Sequence, residues 1–455
     1  MSGSSPHIAL IPSAGMNQLM GILRLASMLL SNNCKVTLIT PKPTLSMAEA
    51  NHLSFFLSKH PQMSHLEYQI LPPEPNSSAD PYFLQYNAVR RSSHLIHPLL
   101  RSTTFSTIIV SFLACGNIPR FAAEIGVPCY VFSGTSTRFF SFMLHLPAIL
   151  SDPEIGNKKK NSSLLEVPGL EPFDMSSIPG FYLNPDHPMV VDAKVNSKAI
   201  LEATCIIMSG FECLEPETFS ALNSGRVLSG TLPPVLPVGP LEFYEVKKDQ
   251  TECLAWLDKQ PHESVVFINF GSRTPTSSDQ IRELGKGLEL SGLRFLWVLK
   301  TRVIDKDEDR KVDDDVILGE SFLDRTKDKG LVFRKWLNQQ DVLSHPSIGL
   351  FLSHCGWNSS MEAARTGVPV LGWPQIGDQR INAEVLEKAG LGKLERSWGF
   401  GHEKLVRGEE IAAKMSEMMG DANLRSRARK VKEEAIKATK PGGSSHSAIM
   451  RITAS

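Results

Sequence analysis

Short apolar runs alternate with longer segments of helical period along most of the chain. This alternation is typical of parallel sheets whose strands are joined by crossover helices. In the first half, the predicted strands are 7–12, 35–40, 107–111, 129–132 and 204–208. In the second half, they are 264–270, 294–299, 331–333, 348–353 and 369–371, with helices such as 278–290 and 381–389. The pattern therefore predicts an α/β fold with two doubly wound sheets.

Residues 230–250 interrupt the alternation. A Pro-rich stretch, 230–239, is followed by the charged segment 242–250, a composition typical of a linker between domains. Because 455 residues exceed what one hydrophobic core usually supports, we expect two domains. The predicted organisation is a first Rossmann-like domain over 1–235, a linker over 236–250, a second Rossmann-like domain over 251–430, and a C-terminal helix over 431–455 that packs back on the first domain.

The charge balance narrows the class of partner. The 48 Lys and Arg residues equal the 48 Asp and Glu residues, which removes the electrostatic reason to expect a nucleic-acid or anionic-membrane partner. No basic region precedes an apolar stretch at the N-terminus, and the apolar segment 19–30 is short and contains Arg24. The sequence therefore predicts no signal or membrane anchor and a cytoplasmic location. A monomeric enzyme that acts on small molecules fits these features.

Neither the cysteines nor the acidic residues form a recognisable metal site. The seven cysteines are scattered, odd in number and without a CxxC pair, so we expect reduced and mostly buried thiols. The acidic run 305–315 is a charge run in a loop that no strand delivers to a cleft, and we interpret it as solvated. The sequence predicts no metal and no cofactor.

The most informative segment runs from residue 336 to residue 379. Its middle predicts a strand, 348–353, a tight turn at 354–356, and a helix that opens near Asn358 and Ser359. Such a turn presents backbone N–H groups at the positive end of a helix dipole, which favours binding of a diphosphate. His354 and Ser359 add hydrogen-bond donors. Glu362 can accept from ribose hydroxyls, and Trp336 offers a flat face to a base.

In its order and spacing, this segment resembles the signature box of plant family 1 UDP-glycosyltransferases. The first strand with its loop (ALIPSAGM), the segment RRSSHLI at 90–96 and the GSR at 271–273 are most similar to the flavonoid C-glycosyltransferases of that family. The resemblance covers nearly the whole chain. It implies the α/β fold named GT-B, in which two Rossmann-like domains face each other across the cleft that holds the site, and a UDP-sugar as co-substrate.

The resemblance also implies roles for single residues. Trp336 would stack on uracil, Glu362 would hold the ribose, and His354 would hold the diphosphate. Asp378 and Gln379 would meet the sugar, with glucose preferred. The complete set implied for donor binding is Ser272, Arg273, Trp336, Gln339, His354, Gly356, Trp357, Asn358, Ser359, Glu362, Asp378 and Gln379.

The acceptor side departs from the family pattern at the two catalytic positions. A phenol is a poor nucleophile until a base takes its proton, and the family supplies a His for this purpose, oriented by an Asp. Gln18 stands where the His is expected, and Ser111 stands where the Asp is expected. Because an amide has no useful basicity near neutral pH, Gln18 cannot be the base. The residues expected to line the acceptor pocket, with the two histidines as candidates for a replacement base, are Phe83, Tyr86, His94, Phe139 and His145.

The predicted function is inverting transfer from a UDP-sugar, with UDP-glucose favoured, to a phenolic or flavonoid-like small molecule, through carbon or oxygen. Two alternatives stay open. One is a diverged or engineered scaffold whose rebuilt acceptor pocket performs another reaction. The other is a nucleotide-sugar-binding protein without transfer activity. A dehydrogenase is disfavoured, since no GxGxxG follows either first strand.

Overall fold

The computed structural model describes residues 5–44, 46–72, 74, 80–151, 163–228, 232–242, 251–271, 276–300, 318, 320–334, 337–401 and 403–454. The chain forms two compact units. The first unit comprises Met1–Tyr244 and Lys437–Ser455, and the second unit comprises Glu245–Ile436. Each unit is built around its own parallel sheet, which confirms the predicted α/β class with two doubly wound sheets.

The sheet of the first unit has seven strands in the order β3-β2-β1-β4-β5-β8-β9, and every pairing is parallel. Its strands are β1 His7–Ile11, β2 Lys35–Lys42, β3 Ser64–Gln69, β4 Thr107–Ser111, β5 Cys129–Ser133, β8 Cys205–Met208 and β9 Val235–Pro237. A separate antiparallel pair is formed by β6 Leu164–Leu165 and β7 Phe173–Asp174.

Helices connect these strands, and local capping sets where several of them begin. Ser46 accepts the backbone N–H of Glu49 (3.2 Å) before one helix, and Asp80 accepts that of Tyr82 (2.8 Å) before the next. The helices of the first unit are α1 Met16–Ser31, α2 Met47–Lys59, α3 Pro81–Arg91, α4 Ile96–Arg101, α5 Ile118–Glu124, α6 Thr137–Ser151, α7 Pro188–Ala199, α8 Pro216–Asn223 and, at the C-terminal end of the chain, α17 Ser444–Thr453.

The sheet of the second unit has six strands in the order β12-β11-β10-β13-β14-β15, again all parallel. Its strands are β10 Val265–Asn269, β11 Arg294–Val298, β12 Gly330–Phe333, β13 Ile348–Ser353, β14 Val370–Gly372 and β15 Gly392–Leu394. Its helices are α9 Thr251–Leu257, α10 Ser278–Ser291, α11 Glu320–Thr326, α12 Gln339–Leu343, α13 Trp357–Thr366, α14 Gln379–Lys388 and α15 Gly408–Gly420, and α16 Ala422–Thr439 crosses into the first unit.

The central strands form the cores of both units. Every residue of β4, β5, β10 and β13 is buried, as expected of parallel strands that helices cover on both faces. All seven cysteines are free thiols, and six of them are buried, with Cys213 exposed. The expectation of reduced, mostly buried thiols is confirmed.

The predicted linker is wrong in one part. Residues 235–237 lie inside the Pro-rich stretch but form β9, which pairs with β8 at the edge of the first sheet. Proline is compatible with this place because an edge strand has one side without ladder hydrogen bonds. The prediction also omitted β3 at the opposite edge, since its polar residues, including Glu67 and Gln69, give no apolar run.

The C-terminal segment comprises two helices, α16 and α17, where a single one was expected over 431–455. The second of them, α17, contacts β9. Ser445 in α17 is fully buried, and its Oγ donates to the backbone carbonyl oxygen of Gly239, which follows β9. This bond ties the end of the chain to the edge of the first sheet.

Replacing Ser445 with Ala should lower the free energy of unfolding by about 1–3 kcal/mol, because the buried Gly239 carbonyl loses its partner. Urea unfolding of the full chain measures the change. The matched control is Ser447→Ala, an exposed serine of the same helix, which should stay within about 0.5 kcal/mol of the parent. Equal stability of the two variants would contradict the assignment.

Candidate functional site

The strand order of the second sheet reverses between β10 and β13. The chain proceeds from β10 to β11 and β12 on one side, and from β13 to β14 and β15 on the other. In an open parallel sheet, the loops at the carboxyl ends of two such strands part and leave a crevice that binds ligands. Gly271 follows β10 and His354 follows β13. The turn predicted to hold the donor therefore lies at this crevice.

The His354 ring is packed between two glycines. A Cβ atom added to Gly271 or to Gly356 would lie 2.6 Å from Nε2 of His354. Gly271 also has φ +77°, which residues with a side chain rarely adopt. Any larger residue at either position would displace the ring. These two glycines are thus explained by the space that His354 occupies.

His354 is a neutral donor and acceptor in this environment. Burial lowers the pKa of His354 to about 4; a hydrogen bond to the Asn269 carbonyl opposes this shift, and the charge of Lys300 adds to it. Nδ1 is buried and has no hydrogen-bond partner among the described residues. The neutral ring has one donor nitrogen and one acceptor nitrogen.

An uncommon backbone conformation holds the turn after β13. Cys355 has φ +62°, in the left-handed region. Its N–H donates to Oγ of Ser353 (3.1 Å), and its carbonyl accepts from Nδ2 of Asn382 (3.2 Å). The helix α13 then begins at Trp357, with Gly356 as N-cap and no capping side chain, one to two residues earlier than predicted. Its N-terminus can therefore receive an anion.

Four polar residues form a continuous hydrogen-bonded network beside this turn. Nδ2 of Asn269, the last residue of β10, donates to Oε1 of Gln339 (2.6 Å). Nε2 of Gln339 donates to Oγ of Ser359 (2.9 Å) and to Oε2 of Glu362 (2.5 Å). Oδ1 of Asn269 accepts the N–H of Gly271 (3.1 Å). The structure thus brings together three of the predicted donor residues, Gln339, Ser359 and Glu362.

The remaining predicted donor residues begin two helices. Trp357 is buried and Asn358 is half-buried in the first turn of α13. Asp378 is the N-cap of α14 and Gln379 is its first residue. Oε1 of Gln379 accepts the backbone N–H groups of residues 375 and 376 (2.8 and 2.9 Å). Since both lone pairs of that oxygen are used, only the amide nitrogen of Gln379 is left to contact a sugar.

Three predicted donor residues, Ser272, Arg273 and Trp336, lie outside the described residues, as does the acidic run 305–315. Within the part of the chain that the structure describes, no cluster of three or more His, Cys, Asp and Glu side chains is arranged to bind a metal ion. In that same part, none of the helices combines the length and the apolar character needed to cross a bilayer.

In the first unit, the altered catalytic positions form a hydrogen-bonded pair. The order of that sheet reverses between β1 and β4, Gln18 lies in the first turn of α1 after β1, and Ser111 ends β4. Oγ of Ser111 donates to Oε1 of Gln18 at 2.7 Å. Ser111 is buried and Gln18 is half-buried. The pair is neutral, and neither member is a useful base.

A chain of rings, which we call the aromatic cluster, begins beside Gly15, at the start of the helix that carries Gln18. A Cβ atom on Gly15, the N-cap of α1, would lie 2.9 Å from the Tyr82 ring. From Tyr82 onward, successive ring centroids are 4.3–5.6 Å apart. The cluster comprises Tyr82, Phe83, His187, Phe181, Tyr182 and Phe139. Two residues predicted for the acceptor pocket, Phe83 and Phe139, therefore belong to it.

The other three residues predicted for the acceptor pocket lie outside the cluster. Tyr86 is stacked on Tyr82 with centroids 6.1 Å apart, and burial raises its pKa well above its usual value. His94 is exposed, and its Nδ1 lies 3.1 Å from the Arg91 carbonyl oxygen. His145 is half-buried in α6, and burial lowers its pKa. Their roles at an acceptor stay predictions.

Comparison with known proteins identifies the family. The profile described as "UDP-glucoronosyl and UDP-glucosyl transferase" matches residues 230–397. UDP-glycosyltransferase 708G2 of Citrus unshiu is 42% identical over 450 residues, which cover 97% of this chain and 94% of that protein. The chain belongs to the UDP-glycosyltransferase family. The predicted resemblance is confirmed.

Solved structures agree with this assignment. LpCGTa, crystallised in complex with UDP, is 41% identical to this glycosyltransferase, with a TM-score of 0.86 over 99% of both chains. UGT2 of Phytolacca americana, complexed with UDP-2fluoro-glucose and pterostilbene, is 28% identical, with a TM-score of 0.81 over 100% of both chains. The glycosyltransferase has the predicted GT-B fold.

Two residues of these sites were missed by the sequence interpretation. Asn269 could have been found, since it is the polar residue that ends the otherwise apolar strand VVFIN. His187 follows no motif, and only the packing of α7 against other elements of the first unit brings its ring beside Phe83 (5.3 Å).

Replacing Asn269 with Ala should weaken UDP binding by about tenfold, because the Gln339 amide and the Gly271 turn lose the partner that orders them. Calorimetry with UDP measures the change. Asn223→Ala is the matched control: Asn223 makes the same kind of paired bonds to the Val235 backbone (2.9 and 3.0 Å) in the first unit. Its loss should lower stability and leave UDP affinity unchanged. An unaffected affinity in Asn269→Ala would refute the role.

The low pKa of His354 makes stability depend on pH. Its pKa in the unfolded chain is near the ordinary 6.5, so between pH 6.5 and about 4 the unfolded chain binds a proton that the folded chain does not. Stability should fall as the pH falls through this window, by roughly 3 kcal/mol at most. Urea unfolding at several pH values should show a smaller fall in His354→Asn, whereas the exposed His262→Asn should follow the parent. Parallel curves for all three proteins would contradict this expectation.

Proposed function

We propose that this glycosyltransferase transfers a sugar, glucose by preference, from a UDP-sugar to a phenolic or flavonoid-like small molecule with inversion, forming a bond to carbon or to oxygen. The observation that carries the proposal is the network of Asn269, Gln339, Ser359 and Glu362 at the carboxyl end of β10. It presents a carboxylate and a hydroxyl beside the buried turn that contains His354.

The geometry of the second unit suits a nucleoside diphosphate. The first turn of α13 offers backbone N–H groups and the positive end of a helix dipole to the phosphates. Glu362, held by Nε2 of Gln339, can accept from ribose hydroxyls. Developing negative charge on a leaving diphosphate is stabilised by donors that are already in place. Asp378 and Gln379, at the start of α14, are the residues we assign to the sugar.

The first unit supplies aromatic surface for an acceptor. Phe83 and Phe139 belong to the aromatic cluster, which reaches the turn before Gln18. Flat rings of this kind suit a planar phenol. The related UGT2 of Phytolacca americana was solved in complex with UDP-2fluoro-glucose and pterostilbene, which supports an aromatic acceptor and a glucose donor.

One observation favours a second candidate. The pair of Gln18 and Ser111 contains no base, which is what a nucleotide-sugar-binding protein without transfer activity would have. Incubation with UDP-glucose and a panel of phenols, with UDP release and glycoside both measured by chromatography, separates the two. Glycoside formation with equimolar UDP release supports transfer. Binding of UDP-glucose in calorimetry without turnover of any phenol would favour the second candidate.

The roles assigned to the donor residues predict a contrast between two variants. Glu362→Ala should weaken UDP and UDP-glucose by similar factors of about ten, because the ribose is common to both ligands. Asp378→Ala should weaken only UDP-glucose, because the sugar is absent from UDP. Calorimetry with both ligands tests the contrast. Equal losses for both ligands in both variants would show that these roles are wrong.

A further inference from the structure

We propose that Gln18 and Ser111 form a hydrogen-bond-donating site that binds the acceptor as an oxyanion, so that this glycosyltransferase selects phenols acidic enough to ionise without a protein base. The inference rests on the proposed function, and it names the chemical class of the acceptor: phenols whose pKa lies near or below the working pH. Three observations carry it.

The first observation is the direction of the bond between the two side chains. Oγ of Ser111 donates to Oε1 of Gln18 at 2.7 Å, so the amide oxygen is occupied and its orientation is set. The remaining polar group of Gln18 is the NH₂, which can only donate. Within the described residues, that nitrogen makes no hydrogen bond to protein. A donor-only group favours an anionic oxygen over a neutral hydroxyl.

The second observation is the state of the histidine in the aromatic cluster. His187 is the N-cap of α7, and its Nδ1 accepts the N–H of Met189 at 3.3 Å. The proton of the neutral ring is therefore on Nε2, which makes that nitrogen a donor as well. Burial lowers the pKa of His187. The histidine of the aromatic cluster is thus not positioned to take a proton through Nε2.

The third observation is the surroundings of the pair. Titratable and charged side chains occur on α1 itself, on the elements packed against it and in the turn after β4. They are His7, Arg24, Lys35, Lys42, Glu49, His52, Lys59, Tyr82 and Cys115. His7 bonds to Thr37 (2.8 Å) and Lys42 pairs with Glu67 (2.8 Å), and burial raises the pKa of the Cys115 thiol. No hydrogen bond joins any of them to Gln18 or Ser111 within the described residues.

The reaction balances without a protein base. The acceptor hydroxyl gives its proton to solvent water, and the oxyanion binds at the NH₂ of Gln18. The electron pair of the oxyanion, or of a ring carbon conjugated with it, forms the bond to the anomeric carbon. The bond from that carbon to the diphosphate oxygen breaks, and its electron pair leaves with UDP. After attack through carbon, the proton on that ring carbon passes to water and the ring regains its aromaticity.

Binding of 4-nitrophenol in the presence of saturating UDP tests the proposal without turnover, because UDP carries no sugar to transfer. The phenolate absorbs visible light and the phenol does not, so absorbance reports which form is bound. The parent should bind the phenolate about tenfold more tightly than the phenol, so the apparent pKa of the bound ligand falls below that of the free ligand. Gln18→Met should abolish this shift. Gln18→Glu should reverse it, since a carboxylate repels the phenolate. Gln62→Met, on the exposed surface of the same unit, should behave as the parent.

Kinetics with phenols of graded acidity give a second test. The pH at which kcat/KM reaches half its plateau should follow the pKa of each acceptor, and His187→Gln, which keeps a donor, should not change this relation. Restoring a base with Gln18→His and Ser111→Asp should extend turnover to weakly acidic phenols by about a hundredfold.

Each contrary result has a defined meaning. One common half-plateau pH for all acceptors would reveal a protein base and overturn the inference. So would an equal pKa shift of 4-nitrophenol in the parent and in Gln18→Met, or the absence of binding of either form. If glycoside still forms in these cases, the proposed function stands while the inference fails. Absence of glycoside with every phenol would overturn the proposed function itself.

Discussion

The reversal of strand order beside the first strand of each sheet is the constraint on which both sites depend. Parallel strands send all their carboxyl ends to one edge, and the loops part where the chain changes sides. In the first unit this happens between β1 and β4, where Gln18 lies in the first turn of α1 and Ser111 ends β4. In the second unit it happens between β10 and β13, beside Asn269 and His354. The same topology therefore positions two chemically different groups of side chains, the neutral Gln18–Ser111 pair in the first unit and the donor-side turn in the second.

The N-termini of α6 and α13 differ in whether a protein side chain binds their free backbone N–H groups. A protein carboxylate binds the first turn of α6. Both oxygens of Glu215 accept backbone N–H groups, those of Thr137 (2.8 Å) and Arg138 (2.7 Å). Burial raises the pKa of this carboxyl to about 7, against the effect of those bonds. The first turn of α13 has no capping side chain. The N-terminus of α6, where Glu215 accepts the first N–H groups, belongs to the helix that carries the cluster residue Phe139. The N-terminus of α13 is suited to an external anion.

Uncharged polar groups orient side chains at the strand ends of both units. A buried amide network is stable only when its members satisfy one another, because an unpaired polar group inside a protein is costly. Asn269 and Gln339 meet this condition through the hydrogen bond between their amides, and Nε2 of Gln339 also donates to the Glu362 carboxylate. Ser111 and Gln18 meet it in the first unit and leave an amide nitrogen for a ligand. Neutral pairs of this kind orient neighbouring groups by the direction of their hydrogen bonds rather than by charge.

The class of fold, the central strands and the donor segment are predictable from the sequence, because continuous apolar runs and the spacing of the turn after β13 are local signals. The edge strands are not predictable in this way. β3 is polar, and β9 lies in a Pro-rich stretch and is recognisable as a strand only through its pairing with β8. Tertiary structure also decides the contacts that assemble the sites. Ser111 and Gln18 are 93 positions apart, and Asn269 and Gln339 are 70 apart. Such partners share no periodicity. In each pair, a residue that ends a strand meets a residue in the first turn of a helix, and only the tertiary fold brings the two within hydrogen-bonding distance.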